Sequence, residues 1–219
     1  MTRAILFDVD GTLLDTNYFH VLAWLRACRS QGVGVSASWL HHRIGMGSDK
    51  IIRELTGGES QELNEAHTRE YAPFRPEERA FESVPELLRQ VAGAGVAVWL
   101  ATSAKKEELA TMRKAIGAED AITGVVSSGE VSRSKPDPDI FELALSRAGS
   151  SAREAMVVGD TVWDVEAARA AGLECVCVET GGIGRALLLE AGAAAVYADP
   201  AELRRSLAES PLARVLGRD

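Results

Sequence analysis

Ala4-Ile5-Leu6-Phe7-Asp8-Val9-Asp10-Gly11-Thr12-Leu13-Leu14-Asp15-Thr16 begins as a short apolar run and ends in carboxylates, a glycine and hydroxyls. Residues 4–7 lack the period of an amphipathic helix and read as a strand buried on both faces, the first of a parallel sheet. Asp8 and Asp10 stand where that strand runs out, and in open α/β sheets ligands bind outside the carboxyl ends of the strands. On an extended strand their side chains would point to opposite faces; at a strand end that turns at Gly11, both reach one site. An Asp-Gly pair alone makes only a turn. It does not account for Asp8, whose ionised carboxylate at the end of a buried run is costly unless a cation or hydrogen-bond donors meet it.

Outward from this stretch, apolar residues recur at helical spacing over 18–31, 38–43, 48–56 and 63–76, with Gly32, Gly34, Gly45, Gly47, Gly57 and Gly58 between the runs. Four helices before any second strand exceed a single crossover. Residues 16–83 are therefore expected to form a helical cap inserted into an α/β core of residues 1–15 and 84–219. From Pro85 onward helix and strand alternate, with strands expected at 96–101, 124–127, 155–159, 174–178 and 195–197. Helices are expected at 105–116, 140–148 and 162–171, through Leu187-Leu188-Leu189, and from Pro200. The pattern is that of a doubly wound, Rossmann-like parallel sheet with right-handed crossovers.

The chain has 219 residues, 46% of them hydrophobic, enough for one substantial core and a smaller accessory unit. Its 24 basic and 32 acidic residues give a net charge of −8, which argues against a nucleic-acid surface. No apolar run approaches a membrane span and no charged leader precedes the Asp8 strand, so a cytoplasmic protein without membrane contact, monomeric or homodimeric, is expected. Cys28, Cys175 and Cys177 are expected to be reduced core thiols, and His20, His41, His42 and His67 match no metal or triad pattern, leaving surface or packing roles.

Three further strand ends carry polar groups, and in a parallel sheet they share an edge with Asp8. Thr102-Ser103 follows one strand, although hydroxyls also cap helices. Ser134-Lys135-Pro136-Asp137-Pro138 is a loop in which two prolines stiffen the backbone around a lysine. In Gly159-Asp160-Thr161-Val162-Trp163-Asp164 a strand again ends in a carboxylate, and Asp164 falls on the same side of the following helical turn.

With these segments in hand, Asp8-Val9-Asp10-Gly11-Thr12 resembles the first motif of the haloacid-dehalogenase superfamily, in the Asp-x-Asp form of its phosphatases and phosphomutases. The other three segments resemble its second, third and fourth motifs in order. Thr180-Gly181-Gly182-Ile183-Gly184-Arg185 looks like the tail of phosphoglycolate-phosphatase-like and β-phosphoglucomutase-like members. The resemblance implies a magnesium-dependent phosphatase of small phosphorylated metabolites. Asp8 would be the nucleophile that forms an aspartyl-phosphate, Asp10 the acid and base, and Lys135 the neutraliser of phosphoryl charge. Gly11, Thr12, Thr102 and Ser103 would bind the phosphoryl group. Mg2+ would be held by Asp8, the Asp10 backbone carbonyl and Asp160, with Asp164 as a more distant or water-mediated ligand. Arg43, with Lys50 and Arg53, lies near the Gly45-Met46-Gly47 turn and is a candidate anion contact in the cap. A phosphomutase would use the same residues; a dehalogenase would lack Asp10, and a non-catalytic binding module would have lost Asp8, Asp10 or Asp160.

Overall fold

The computed structural model describes residues 2–104 and 108–217. Six strands, β1 (Ala4–Phe7), β2 (Ala97–Thr102), β3 (Ile122–Ser127), β4 (Ala155–Gly159), β5 (Cys175–Val178) and β6 (Ala195–Tyr197), form one sheet in the order β3-β2-β1-β4-β5-β6. Every neighbouring pair is parallel. β1 lies in the interior of the sheet, with Phe7 opposite Leu100 of β2 and Val158 of β4. That register sets Asp8 between the ends of two other strands, and its amide donates to the Val158 carbonyl at 2.9 Å.

Burial on both faces explains why β1, β4 and β5 read as apolar runs. Ile5 and Phe7 face a core filled by α5 (Val84–Gly93), α6 (Leu109–Ile116), α10 (Pro200–Arg205) and α11 (Ala213–Leu216). Ala4 and Leu6 face the opposite core, filled by α7 (Asp139–Ala148), α8 (Val162–Ala170) and α9 (Arg185–Ala191).

Between β1 and α5 lie α1 (Asn17–Ser30), α2 (Ala37–His41), α3 (Ser48–Thr56) and α4 (Gln61–Tyr71), which close on an apolar cluster of their own around Trp24, Leu40, Ile51 and Leu63. The fourth of these helices stops at Tyr71 rather than running to 76. Pro73 cannot continue an α-helix without striking the preceding turn, and the chain passes into a 3-10 turn over Ala72–Glu77. The expected start of α6 at Lys105 falls outside the described residues. Helix α11 and the 3-10 turns at Ser128–Glu130, Ala152–Glu154 and Glu179–Gly181 are shorter than any periodic signal and were not foreseen. Among the described residues no helix is long and apolar enough to cross a membrane.

Leu6 is fully buried in the inner strand. Leu6→Ala is expected to lower the unfolding free energy by about 2–5 kcal/mol in urea titration. A loss below about 1 kcal/mol would contradict close packing of that face.

Candidate active site

The carboxyl ends of β1, β2 and β4 converge on one buried ammonium. Lys135, 1% exposed, donates to Asp8 Oδ1 at 2.5 Å, to Asp164 Oδ1 at 2.8 Å and to the Ala101 carbonyl at 3.2 Å. Asp164 is held by the start of α8: its Oδ2 accepts from the Thr161 amide at 3.1 Å and the Thr161 hydroxyl at 2.6 Å, while Thr161 caps the helix. With Lys135 on its other oxygen, Asp164 is an anchor for the lysine. Asp160 is fully buried beside them, accepting from the Thr12 hydroxyl at 2.7 Å and from Asn17 Nδ2 at 2.9 Å.

Two glycines let the backbone approach Asp160. Gly11 turns with φ +78°, and a Cβ there would come within 2.3 Å of Asp160 Oδ2; a Cβ at Gly181 would come within 1.8 Å of the same oxygen.

Carboxylate oxygens of Asp8, Asp160 and Asp164 lie within 4.8 Å of one another. One ammonium does not neutralise three such groups. Burial, opposed by Lys135 and reinforced by Asp164 and Asp10, pushes Asp8 up to about 7. Burial and the neighbouring Asp164 and Asp8 charges likewise drive Asp160 well above the carboxylate range. Burial alone would lower the proton affinity of Lys135, but Asp164 and Asp8 outweigh it and raise its pKa. A second orphan stands alongside: Asn17 Oδ1 is buried without a donor among the described residues. Oxygen donors, excess negative charge and an unused acceptor fit a small hard dication such as Mg2+. Asp8, Asp160 and Asp164 each offer a carboxylate oxygen that could hold it.

Asp8 and Asp10 line a cavity whose volume is about 680 Å³, its open mouth included. Asp10 accepts from the Thr16 hydroxyl at 2.6 Å and lies 3.3 Å from His20 Nε2. Burial alone would raise its pKa, but His20, through charge and hydrogen bond, and Thr16 bring it below the usual value. His20 stacks on Tyr71 with centroids 4.1 Å apart, and its Nδ1 sits 3.4 Å from His67 Nε2.

The expected substrate contacts are redistributed. Ser103 lines the cavity. Thr102 turns its hydroxyl back to accept from the Ala104 amide at 3.0 Å, the Thr12 hydroxyl is committed to Asp160, and Gly11 packs against Asn17 and Asp160. Arg43 does not line the cavity: its guanidinium lies 3.7 Å from the Trp39 ring centroid and bonds Glu54 at 2.5 Å, so its charge is already spent on the helical segment. Lys50 pairs with Asp137 on the lysine loop. His20 and His67 line the cavity instead of serving only as surface or packing residues. Thr16 and Asn17, at the start of the inserted segment, also reach the site through Asp10 and Asp160. The available signal was two polar residues opening a helix directly after the acidic stretch.

Comparison with known proteins agrees with this geometry. Residues 2–172 match the family described as haloacid dehalogenase-like hydrolase. The chain is 31% identical over 217 residues to a phosphorylated carbohydrates phosphatase of Thermotoga maritima, covering 94% of this chain and 99% of that protein. It is 30% identical over 189 residues to a phosphoglycolate phosphatase of Yersinia pestis, with 82% of each covered. The crystal structure of a hydrolase from Pseudomonas syringae superposes with a TM-score of 0.88 at 31% identity, covering 95% of this chain and 99% of that one.

The raised Asp8 pKa gives the site a pH signature. Between the ordinary carboxyl value of 3.8 and about 7, the folded protein holds a proton that the unfolded chain has released, so metal-free stability is expected to fall as pH rises through that window. Magnesium binds the deprotonated carboxylates, so the rise in thermal midpoint on adding it is expected to grow from about pH 5.5 to about pH 8. Asp160→Asn should reduce this increment sharply. Differential scanning fluorimetry with magnesium or chelator measures it, and a pH-independent increment would refute the assignment.

Proposed function

The chain belongs to the haloacid dehalogenase-like hydrolases and is a phosphomonoester hydrolase; from that premise we propose that it is magnesium-dependent, acts on small phosphorylated metabolites in the manner of the phosphoglycolate phosphatases, and works through an aspartyl-phosphate on Asp8. The observation that carries this reading is Lys135, buried between Asp8 and Asp164 beneath a cavity lined by Asp8 and Asp10. A cytoplasmic location belongs to the same proposal.

Phosphoryl transfer needs an in-line nucleophile, neutralised phosphoryl charge and a proton for the leaving oxygen. Asp8 bonds phosphorus as the bond to the leaving oxygen breaks. Lys135 fixes the attacking carboxylate through Oδ1 and offsets charge gathering on the phosphoryl oxygens. Asp10 carries the proton. His20 and Thr16 hold it ionised before substrate arrives, and a phosphoryl dianion beside it raises its proton affinity by like-charge repulsion, so that it takes up a proton from solvent as the ester binds. Asp10 then protonates the leaving alcohol and, as a carboxylate again, removes a proton from the water that hydrolyses the aspartyl-phosphate. Bound Mg2+ supplies the positive charge that keeps Asp8 ionised; Asp8, Asp160 and the Asp10 carbonyl are the residues to hold it.

Purified protein should release inorganic phosphate from 4-nitrophenyl phosphate with magnesium, without any bisphosphate activator, and stop in excess chelator. General acids contribute roughly 10²–10⁴-fold, most where the departing oxygen is a poor leaving group. Asp10→Ala should therefore slow the first step far more for an alkyl phosphate than for the aryl ester. With the aryl ester it should give a burst of one phenol per enzyme and then slow turnover. Equal slowing with both esters and no burst would show that Asp10 does not carry the proton.

A further inference from the structure

Above the carboxylates the cavity has an apolar wall and one polar atom without a partner. Ile44, Met46 and Ile51 line it, and each is buried. Asn64 of α4 also lines it, and its Oδ1 is buried without a donor within reach among the described residues. The backbone carbonyl of Asn64 is occupied by the Thr68 hydroxyl at 2.9 Å, which fixes the helical turn that carries this amide. A buried acceptor left unpaired is unfavourable, and a ligand that brings a donor removes the penalty.

We infer that Asn64 is the residue by which this cavity selects its substrate, its Oδ1 accepting a hydrogen bond from a hydroxyl on an uncharged leaving group such as a sugar or polyol. The inference rests on the phosphatase reading above and names the substrate class of that same site. An anionic distal group brings no proton to Oδ1 and meets the carboxylates of Asp8, Asp10 and Glu108 among the described lining residues, where His20 already lies against Asp10. An ammonium would bring a proton, but Ile44, Met46 and Ile51 offer nothing to replace its hydration. A hydroxylated carbon skeleton satisfies both sides: C–H groups rest on the apolar wall and an O–H meets the amide.

The test compares kcat/KM for glucose 6-phosphate, 2-phosphoglycolate and 4-nitrophenyl phosphate in the magnesium-loaded wild-type protein and in Asn64→Leu. Wild type should prefer the sugar phosphate to phosphoglycolate by about tenfold or more, a comparison that needs no variant to fold. Asn64→Leu should cut kcat/KM on the sugar phosphate about ten- to hundredfold, mainly through KM, and cut it on the aryl ester, which has no hydroxyl for the amide, at least about tenfold less. Preference for phosphoglycolate, or equal losses on sugar and aryl esters, overturns the role of Asn64 while leaving the phosphatase reading standing. Failure of the wild-type protein to hydrolyse all three esters overturns that reading and this inference together.

Discussion

Everything at the sheet edge depends on the ammonium of Lys135 sitting between Asp8 and Asp164. Removing one partner of a buried charge pair leaves the other uncompensated, at a cost of roughly 3–5 kcal/mol. The arrangement therefore ties the 134–138 loop, the end of β1 and the first turn of α8 into one rigid unit. The loop is also gripped from the helical segment, where Ser134 donates to Asp49 at 2.6 Å and Lys50 pairs with Asp137. Helix α3 thus bears on both flanks of Lys135.

Other contacts between the helical segment and the core are individually weak. His41 Nε2 lies 2.8 Å from the Gly181 carbonyl, Trp163 Nε1 donates to the His42 carbonyl at 3.1 Å, and Arg75 bonds Glu108 at 2.8 Å. Exposed or half-exposed polar pairs contribute about 0–1 kcal/mol each. The cluster of α1–α4 is distinct from the two apolar clusters of the core, with Trp163 of α8 packed against it.

The six strands and their order of appearance were legible because strands buried on both faces leave apolar runs closed by glycine or polar residues, as in Ala155–Gly159. Asp8 and Asp160 stood out for a related reason, as carboxylates closing apolar runs, whereas Lys135 was marked by the prolines around it and by the motif it resembles. What the sequence left open was which groups meet across the insertion. The reach of Asn17 to Asp160 and of His20 to Asp10 depends on how α1 leaves the sheet. No local pattern records that angle. Arg43 misled for the same reason: a base near a glycine turn looks free until its neighbours Trp39 and Glu54 are placed.

The inner position of β1 also has a consequence for biosynthesis. A ribosome delivers Asp8 early, with one neighbour of its strand, β4, among the later parts of the chain. The lysine that bonds Asp8 follows 127 residues behind it, and Thr12 meets Asp160 across 148 residues. Contacts this far apart in sequence slow folding, because loop closure must precede the reward. Until β4 emerges, the nascent chain exposes an open sheet edge, and Lys135 lacks its second carboxylate, Asp164. A chain that ends before β4 lacks Asp160 and Asp164, so the acidic cluster closes only after that strand has been made.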